Sequence, residues 1–409
     1  MKKIQMYVWN TFENDARVMR ECTALSEEGF YVHLICLMNE KESLKKIEHP
    51  APYFTVRRLK RANLKKTLMM LAFVFFMLLH IGWLKSAGVI LLISVLLHNK
   101  KCWAIVNKVY LIIKMTCVNL FKSSDIYHAN DINTLPQTII NAKIFHRKKL
   151  IYDSHEIQIS RTGYNEKLYY FIEKNLLRYV DVYIHENDTR ADFVEKVYGI
   201  KPQVIHNYPV CYEATHINKI NLHELLAIDE NEPILLYQGG IQRDRGLEKL
   251  IQAVALLDQG TLVLIGDGRL RQSLITLTKQ LNLTNRVKFL DKVYMETLKC
   301  YTVSATIGFQ VLQNTCMNHY SASSNKLFEY IMAEVPVVAC SFPEIAKVVG
   351  TWDVGEIVDS HSVHSIRLGI EKLLTNGERY QACKRNCQDA KKVYNWEQEK
   401  NKFLKLYAD

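Results

Sequence analysis

Between His49 and Ser124 the chain runs for 76 consecutive residues without an aspartate or a glutamate. A water-facing surface does not ordinarily lack acids over such a distance, and inside the gap lies the apolar run Thr67 to Asn99, TLMMLAFVFFMLLHIGWLKSAGVILLISVLLHN. Other absences are equally informative. Ten cysteines contain no C-x-x-C pair, only Cys383 and Cys387 are close together, and no Cys/His cluster has ligand spacing, which argues against a zinc site. The turn after the first apolar run, Asn10-Thr11-Phe12-Glu13-Asn14-Asp15, holds no glycine, so a dinucleotide fingerprint is excluded. The N-terminal MKKIQMYVWN has no apolar h-region, and with the scattered cysteines this leads us to expect a reducing cytoplasmic setting.

What is present is basic charge, unevenly placed. The net charge is +11, and residues 1–205 carry 30 Lys and Arg against 19 Asp and Glu, while residues 206–409 carry 23 of each. The excess therefore sits beside the apolar run, flanked by Arg57, Arg58, Lys60, Arg61, Lys65 and Lys66 before it and by Lys100 and Lys101 after it. An apolar segment with basic flanks suits an anionic bilayer surface, not nucleic acid. Its uncharged pieces, 18 residues to Leu84 and 14 from Ser86, are split by Lys85, whereas a spanning helix needs about 20. A single crossing would also divide one domain across the membrane. In-plane helices or a shallow hairpin are expected, with a bilayer span and packing inside the protein as alternatives. From Lys101 to Lys122 a helical wheel gathers Lys101, Asn107, Lys108, Lys114, Asn119 and Lys122 on one face. The opposite face is Trp103, Ile105, Val106, Val109, Leu111, Ile112, Ile113, Val118 and Leu120.

The remainder alternates. Ile4 to Trp9, Tyr31 to Leu37, Asp125 to His128, Lys149 to Tyr152, Val182 to His185 and Val204 to Ile205 read as strands, with helical patterns between them. A second alternation begins with strands at Ile234 to Tyr237, Thr261 to Ile265, Val287 to Leu290, Ala305 to Phe309 and Val335 to Ala339. Strand and helix in turn predict an α/β architecture of two doubly wound, Rossmann-like domains facing a cleft. We expect residues 1–206 as an N-terminal domain with a membrane-associating insertion over about 57–122, then a linker at 207–233. A C-terminal domain is expected at 234–385 and a terminal helix at 386–409.

Several strand ends carry phosphate-type signals. Gly239-Gly240-Ile241-Gln242-Arg243-Asp244-Arg245-Gly246 joins a strand to a helix, offering close backbone approach and, at Arg243 and Arg245, guanidinium forks for phosphate oxygens. Gly266-Asp267-Gly268 is a weaker signal of the same kind. The segment Ser321 to Val338 is the most specific. Ser323, Ser324 and Asn325 form a hydroxyl-rich loop at a helix start, where backbone N–H groups can hold a pyrophosphate. Lys326 and Glu329 follow on one helix face, and the carboxylate could take two ribose hydroxyls.

The chain resembles the family 4 glycosyltransferases, retaining and metal-independent enzymes of GT-B architecture. The likeness is carried by Asn14-Asp15-Ala16-Arg17-Val18, by His128-Ala129-Asn130-Asp131 with Leu135-Pro136, and by Tyr152-Asp153-Ser154-His155-Glu156. It continues through Tyr237-Gln238-Gly239-Gly240 with Arg245-Gly246-Leu247, and through Asn325-Lys326-Leu327-Phe328-Glu329-Tyr330 with Pro336-Val337-Val338. The resemblance implies transfer of a sugar from a nucleoside-diphosphate sugar, with no cofactor and no metal. Glu329 would bind the ribose, Arg245 and Lys326 the diphosphate, and His155 with Glu156 the sugar side. Asn14, Asp15, Arg17 and Asp131 would serve the acceptor side or fix the first loop. Two positions depart from the family pattern: Ser321 stands where the first of two paired glutamates is usual, and Gly240 where an arginine is frequent. Lys326 and Arg243 are the substitutes for the missing charge. The leading expectation is therefore a glycosyltransferase at the cytoplasmic face of the cell membrane, acting on a lipid-linked glycan of the cell envelope. A nucleotide-sugar epimerase or hydrolase and an inactive membrane-bound scaffold are the alternatives.

Overall fold

The computed structural model describes residues 1–13, 15–38, 44–61 and 100–408. The expectations for Asn14 and for the apolar run Thr67 to Asn99 lie outside the described residues. Among the described residues no helix is long and apolar enough to cross a membrane.

The first half contains β1 (Lys3–Tyr7), α1 (Ala16–Glu27), β2 (Tyr31–Met38), β3 (Ile47–Ala51), β4 (Phe54–Lys60), α2 (Lys100–Cys117), β5 (Ile126–Asn130) and α3 (Leu135–Ile139), which continues as a π-helical turn to Phe145. Then come β6 (Lys149–Ser154), α4 (Glu166–Leu176), β7 (Val182–His185), α5 (Asp188–Tyr198) and β8 (Gln203–Val204). These strands form one sheet in the order β3-β4-β2-β1-β5-β6-β7-β8. β3 runs antiparallel to β4, whereas β1 lies parallel to both β2 and β5. Registers Tyr7↔Ala129 and Asn130↔Asp153 bring the carboxyl ends of β1, β5 and β6 side by side. That edge is the switch point where open parallel sheets place their functional residues.

The second half contains α6 (Leu222–Leu226), β9 (Ile234–Gln238), α7 (Leu247–Val254), β10 (Thr261–Ile265), α8 (Arg271–Gln280), β11 (Val287–Leu290), α9 (Met295–Thr302), β12 (Ile307–Gln310), α10 (Met317–Tyr320), α11 (Asn325–Met332), β13 (Val337–Cys340), α12 (Pro343–Trp352) and β14 (Gly355–Val358). It closes with α13 (Val363–Thr375), α14 (Gly377–Ala390) and α15 (Trp396–Lys405). The strands form a wholly parallel sheet, β11-β10-β9-β12-β13-β14. Alternate residues of β9 feed opposite cores: Leu235 and Tyr237 pack toward α7 and α13, Ile234 and Leu236 toward α11 and α12. Each fully buried Leu, Ile or Phe contributes about 1.5–3 kcal/mol.

By contacts the chain divides into two compact units. The first comprises Met1–His155 and Tyr170–Tyr183, the second Glu156–Tyr169 and Ile184–Asp409. Composition suggested a boundary at 206. The difference arises because α5 is bound into the second unit: Asn187 Nδ2 and Arg190 reach Ser321 and Asn318. The stretch expected as a linker at 207–233 buries Tyr208 and Leu222 in the second unit's core. The terminal segment is two helices, and Glu399 of α15 accepts from the His206 backbone at 2.9 Å.

Two readings of the basic flank change. Arg57, Arg58 and Lys60 belong to β4; Arg58 is buried, paired with Glu48 at 2.7 Å and donating to the carbonyls of Thr11 and Lys45. On α2 the wheel is turned relative to expectation. Leu111, Met115 and Thr116 are buried, and Asn119, expected outward, donates to Gln5 Oε1 at 3.1 Å and contacts His33 Nδ1 at 2.7 Å. Ile105, Val109 and Ile113 form an exposed apolar ridge at four-residue spacing, with Phe121 exposed just beyond the helix.

Candidate functional site

In the first unit, Asp15 caps α1 by accepting from the Val18 N–H at 3.2 Å and is itself held by Asn10 Nδ2 at 2.8 Å. That cap fixes the helix start so that Arg17 and Glu21, one turn apart, both point into the sheet edge. Arg17 donates to Asp153 through Nε at 2.8 Å and a terminal nitrogen at 3.0 Å, a two-pronged buried ion pair. Glu21 Oε1 lies 3.0 Å from Arg17 Nε and His155 Nε2 3.4 Å from Asp153 Oδ2. Asp131 adopts φ +67° and its N–H donates to the Asp153 carbonyl at 2.9 Å. Arg17, expected for the acceptor side or for fixing the first loop, has its fork engaged with Asp153 inside the protein.

Burial sets the charges here. Desolvation raises the Glu21 carboxyl to about 8 despite Arg17, and lowers His128 to about 4. Asp153 is desolvated too, but Arg17 and His155 hold it well below the usual carboxylate range. For His155 burial works against the charged ring, yet Asp153 and then Asp131 outweigh it and hold it up at about 10. Glu21, His128 and Asp153 bring one ligand-type atom each within 4.8 Å of one another. Both Asp153 oxygens already accept from Arg17, so a cation there would meet a guanidinium, and the group is an ion-pair cluster. Glu156 pairs with Arg161 at 2.9 Å, and the boundary between the compact units falls at the peptide joining it to His155.

In the second unit the loops after β9 and β10 lie back to back. Gly239 N–H donates to the Ile265 carbonyl and Ile241 N–H to the Asp267 carbonyl, both at 2.9 Å. A Cβ at Gly266, where φ is +146°, would fall 2.0 Å from the Gly239 oxygen, and one at Gly268 2.1 Å from the Ile241 oxygen. Gly266 and Gly268 are thus required by loop-to-loop packing, a role distinct from the phosphate approach read from sequence. Gly239 and Gly240 are exposed at the strand end, and Lys326 arches over them: a Cβ on Gly239 would meet its Nζ at 3.5 Å. The ammonium stands 5.1 Å from the Tyr237 ring centroid, and burial, then Arg245, lower it to about 7 against the pull of Glu329. Glu329 accepts from Gln238 Nε2 at 2.6 Å, and Gln238 Oε1 in turn accepts from the Thr302 hydroxyl at 2.8 Å. Lysine, carboxylate and exposed turn therefore meet at the N-terminal end of α11.

This arrangement agrees with comparisons to known proteins. Residues 218–390 match the family described as Glycosyl transferases group 1. That region is similar to the glycosyltransferase domains of this family. An uncharacterized glycosyltransferase of Methanocaldococcus jannaschii is 25% identical over 193 residues, and the match covers 46% of this chain and 48% of that one, about half of each. Across the whole chain the fold is GT-B-like. Sucrose-phosphate synthase from Thermosynechococcus elongatus superposes with a TM-score of 0.77 at 15% identity, covering 100% of this chain and 98% of that one. Anabaena HepE in complex with UDP-glucose gives 0.70 at 15%, covering 100% of both, and WaaG, involved in lipopolysaccharide biosynthesis, gives 0.64 at 14%, covering 99% of both.

Within the matched region the departure at Ser321 has a structural account. The side chain is fully buried, its hydroxyl donates to the Met317 carbonyl at 2.6 Å and accepts from Arg190 Nε at 3.3 Å, and its carbonyl accepts from Asn187 at 2.9 Å. Arg190 takes its carboxylate partner from Glu186, at 2.7 Å. Ser324 is the residue before α11 but its side chain makes no capping bond, and Asn325 Oδ1 accepts from Asn207 at 2.9 Å. Ser323 is buried. Arg243 is exposed and Arg245 partly so, in a turn where Asp244 takes φ +64°. Sequence reasoning missed Gln238 and Thr302, the braces of Glu329, and gave no role to Glu21 or Asp153. The i, i+4 spacing of Arg17 and Glu21 and the i, i+2 spacing of Asp153 and His155 were the available signals.

Proposed function

We propose that this protein is a glycosyltransferase that moves a sugar, with retention of anomeric configuration, from a nucleoside-diphosphate sugar to a lipid-linked or membrane-presented glycan acceptor. The observation that carries the donor half is the braced Glu329 on α11, one turn from Lys326 above the open Gly239 turn. A fixed carboxylate suits paired ribose hydroxyls, and a lysine with Arg245 suits the diphosphate that leaves. In the reaction the bond from C1 to the phosphate oxygen breaks with its electron pair on the diphosphate. The acceptor hydroxyl bonds C1 from the same face, and its proton passes to the departing phosphate oxygen. No protein nucleophile and no metal take part in this scheme.

The acceptor half rests on the acid-free stretch and the exposed ridge Ile105, Val109 and Ile113 within it. Apolar side chains beside lysines suit an anionic bilayer at the cytoplasmic face, where a lipid-linked acceptor of cell-envelope synthesis is presented. Binding is tested by thermal stabilisation across a panel of nucleotide sugars, UDP-glucose first; no shift with any of them would sink the donor assignment. Deleting residues 68–97 is expected to release the protein from membranes and spare nucleotide binding. A deleted protein that still sediments with vesicles would refute the docking role. Ser321, tied into the fold where the family carries a glutamate, favours a second reading as an inactive membrane-bound scaffold; nucleotide release from a donor in the presence of membrane extract would exclude it.

A further inference from the structure

At the carboxyl edge of β1, β5 and β6 the first unit gathers more ionisable side chains than a structural core needs. Arg17, Glu21 and Asp153 are 6%, 1% and 0% exposed, while the His155 ring keeps 23%. A carboxylate buried as Asp153 is requires a fixed counter-charge, and the two-pronged contact of Arg17 supplies it. The same Oδ2 that takes the Arg17 Nε–H at 2.8 Å lies 3.4 Å from His155 Nε2. One oxygen therefore anchors to helix α1 and reaches the only partly exposed ring of the group.

We propose that Arg17 and Asp153 are positioning residues that fix His155 as an imidazolium, a hydrogen-bond donor for a sugar hydroxyl or phosphate oxygen at the end of β6. The assignment rests on the reading above that His155 lies on the sugar side. The groups facing the ring are Asp153 of β6, Asp131 and His128 at the end of β5, and Arg17 and Glu21 of α1. Of these the two aspartates favour the charged ring, and their pull exceeds both burial and Arg17. The ion pair with Asp153 at 3.4 Å thus favours the charged ring. A doubly protonated ring has no lone pair, so His155 donates and does not serve as a general base. Glu21, its carboxyl 3.0 Å from Arg17 and held protonated by burial, is the acid placed to pair with the guanidinium in Asp153→Asn.

The test is a pH titration of the full chain with nitrogen-15 histidine, read by NMR, with His155 assigned among the 14 histidines by the signal lost in His155→Gln. The wild-type ring is expected to titrate above pH 8.5. Asp153→Asn should lower that midpoint by two units or more, whereas Arg17→Lys, which keeps the charge, should leave it high. Both variants lower the melting temperature, so stability alone does not reproduce the pattern. A wild-type midpoint at or below 7, or an Asp153→Asn midpoint within half a unit of wild type, overturns the proposal. Should Asp153→Asn not fold, the wild-type midpoint decides by itself. Thermal stabilisation by UDP-glucose is measured alongside: its absence would sink the donor reading while the titration still judges the positioning.

Discussion

Replacing Glu329 by alanine removes the group on which the donor assignment depends. In the folded protein without ligand the carboxylate is half-buried and held by Gln238 at 2.6 Å, so its loss should lower stability by only about 1 kcal/mol. In the complex it would accept two ribose hydroxyls, each bond to a charged acceptor contributing about 1.5–3 kcal/mol. Losing some 3–4 kcal/mol weakens nucleotide binding by roughly 100- to 1,000-fold. A ligand at about 100 times its Kd stabilises the native state by ~2.7 kcal/mol. For a domain of 150–250 residues that is a rise of roughly 5–10 °C. At the same concentration Glu329→Ala should rise by about 1 °C. Gln238→Met, which leaves the carboxylate in place but unbraced, should fall between the two. Differential scanning fluorimetry with UDP-glucose and UDP is the assay. A folded Glu329→Ala protein whose shift equals that of wild type would refute the ribose role.

Three further outcomes follow from the geometry. Gly266→Ala, whose Cβ would fall 2.0 Å from the Gly239 oxygen at φ +146°, should destabilise by about 3 kcal/mol or more in urea titration; a variant within 1 kcal/mol of wild type would contradict the loop packing. Glu21, raised from 4.5 to about 8 by burial, is protonated preferentially in the folded state, so its contribution is full below pH 4.5 and is lost as pH rises through 8. Melting temperatures should therefore decline over that range, at up to about 1.4 kcal/mol per pH unit, and Glu21→Gln should flatten the decline; an unchanged slope counts against it. Lys326, lowered to about 7 by burial and Arg245, must regain its proton to meet a diphosphate. UDP affinity should weaken by up to tenfold per unit above pH 7, with proton uptake seen by calorimetry in two buffers, and Lys326→Met should abolish the uptake.

Much of this protein is written locally. Runs such as Ile234 to Tyr237 and Thr261 to Ile265 announce buried parallel strands because both faces are apolar, and the order of motifs carries the likeness to glycosyltransferases. Glu329 was singled out by its helical spacing from Lys326 together with the family resemblance. The hairpin of β3 and β4 was not, because Arg57, Arg58 and Lys60 read as membrane-facing charge; only the sheet shows that Arg58 is buried against Glu48. Charge patterning cannot tell a solvated arginine from a paired one. For the same reason the turned wheel of α2 escaped periodicity, since Asn119 gains its partners, Gln5 and His33, from strands far away in sequence.

By itself the sequence determined the two α/β halves, the motif from Asn325 to Val338 that carries the glycosyltransferase resemblance, and the acid-free stretch, since each is a matter of residue type and spacing along one segment. Tertiary structure decided which groups are charged and which glycines are obligatory. Arg17 and Asp153 stand 136 positions apart, and Gly239 abuts Gly266 only because β9 and β10 are neighbours. Proton affinities and close backbone contacts are set by what surrounds an atom in space, and that surrounding exists only once the sheets have formed.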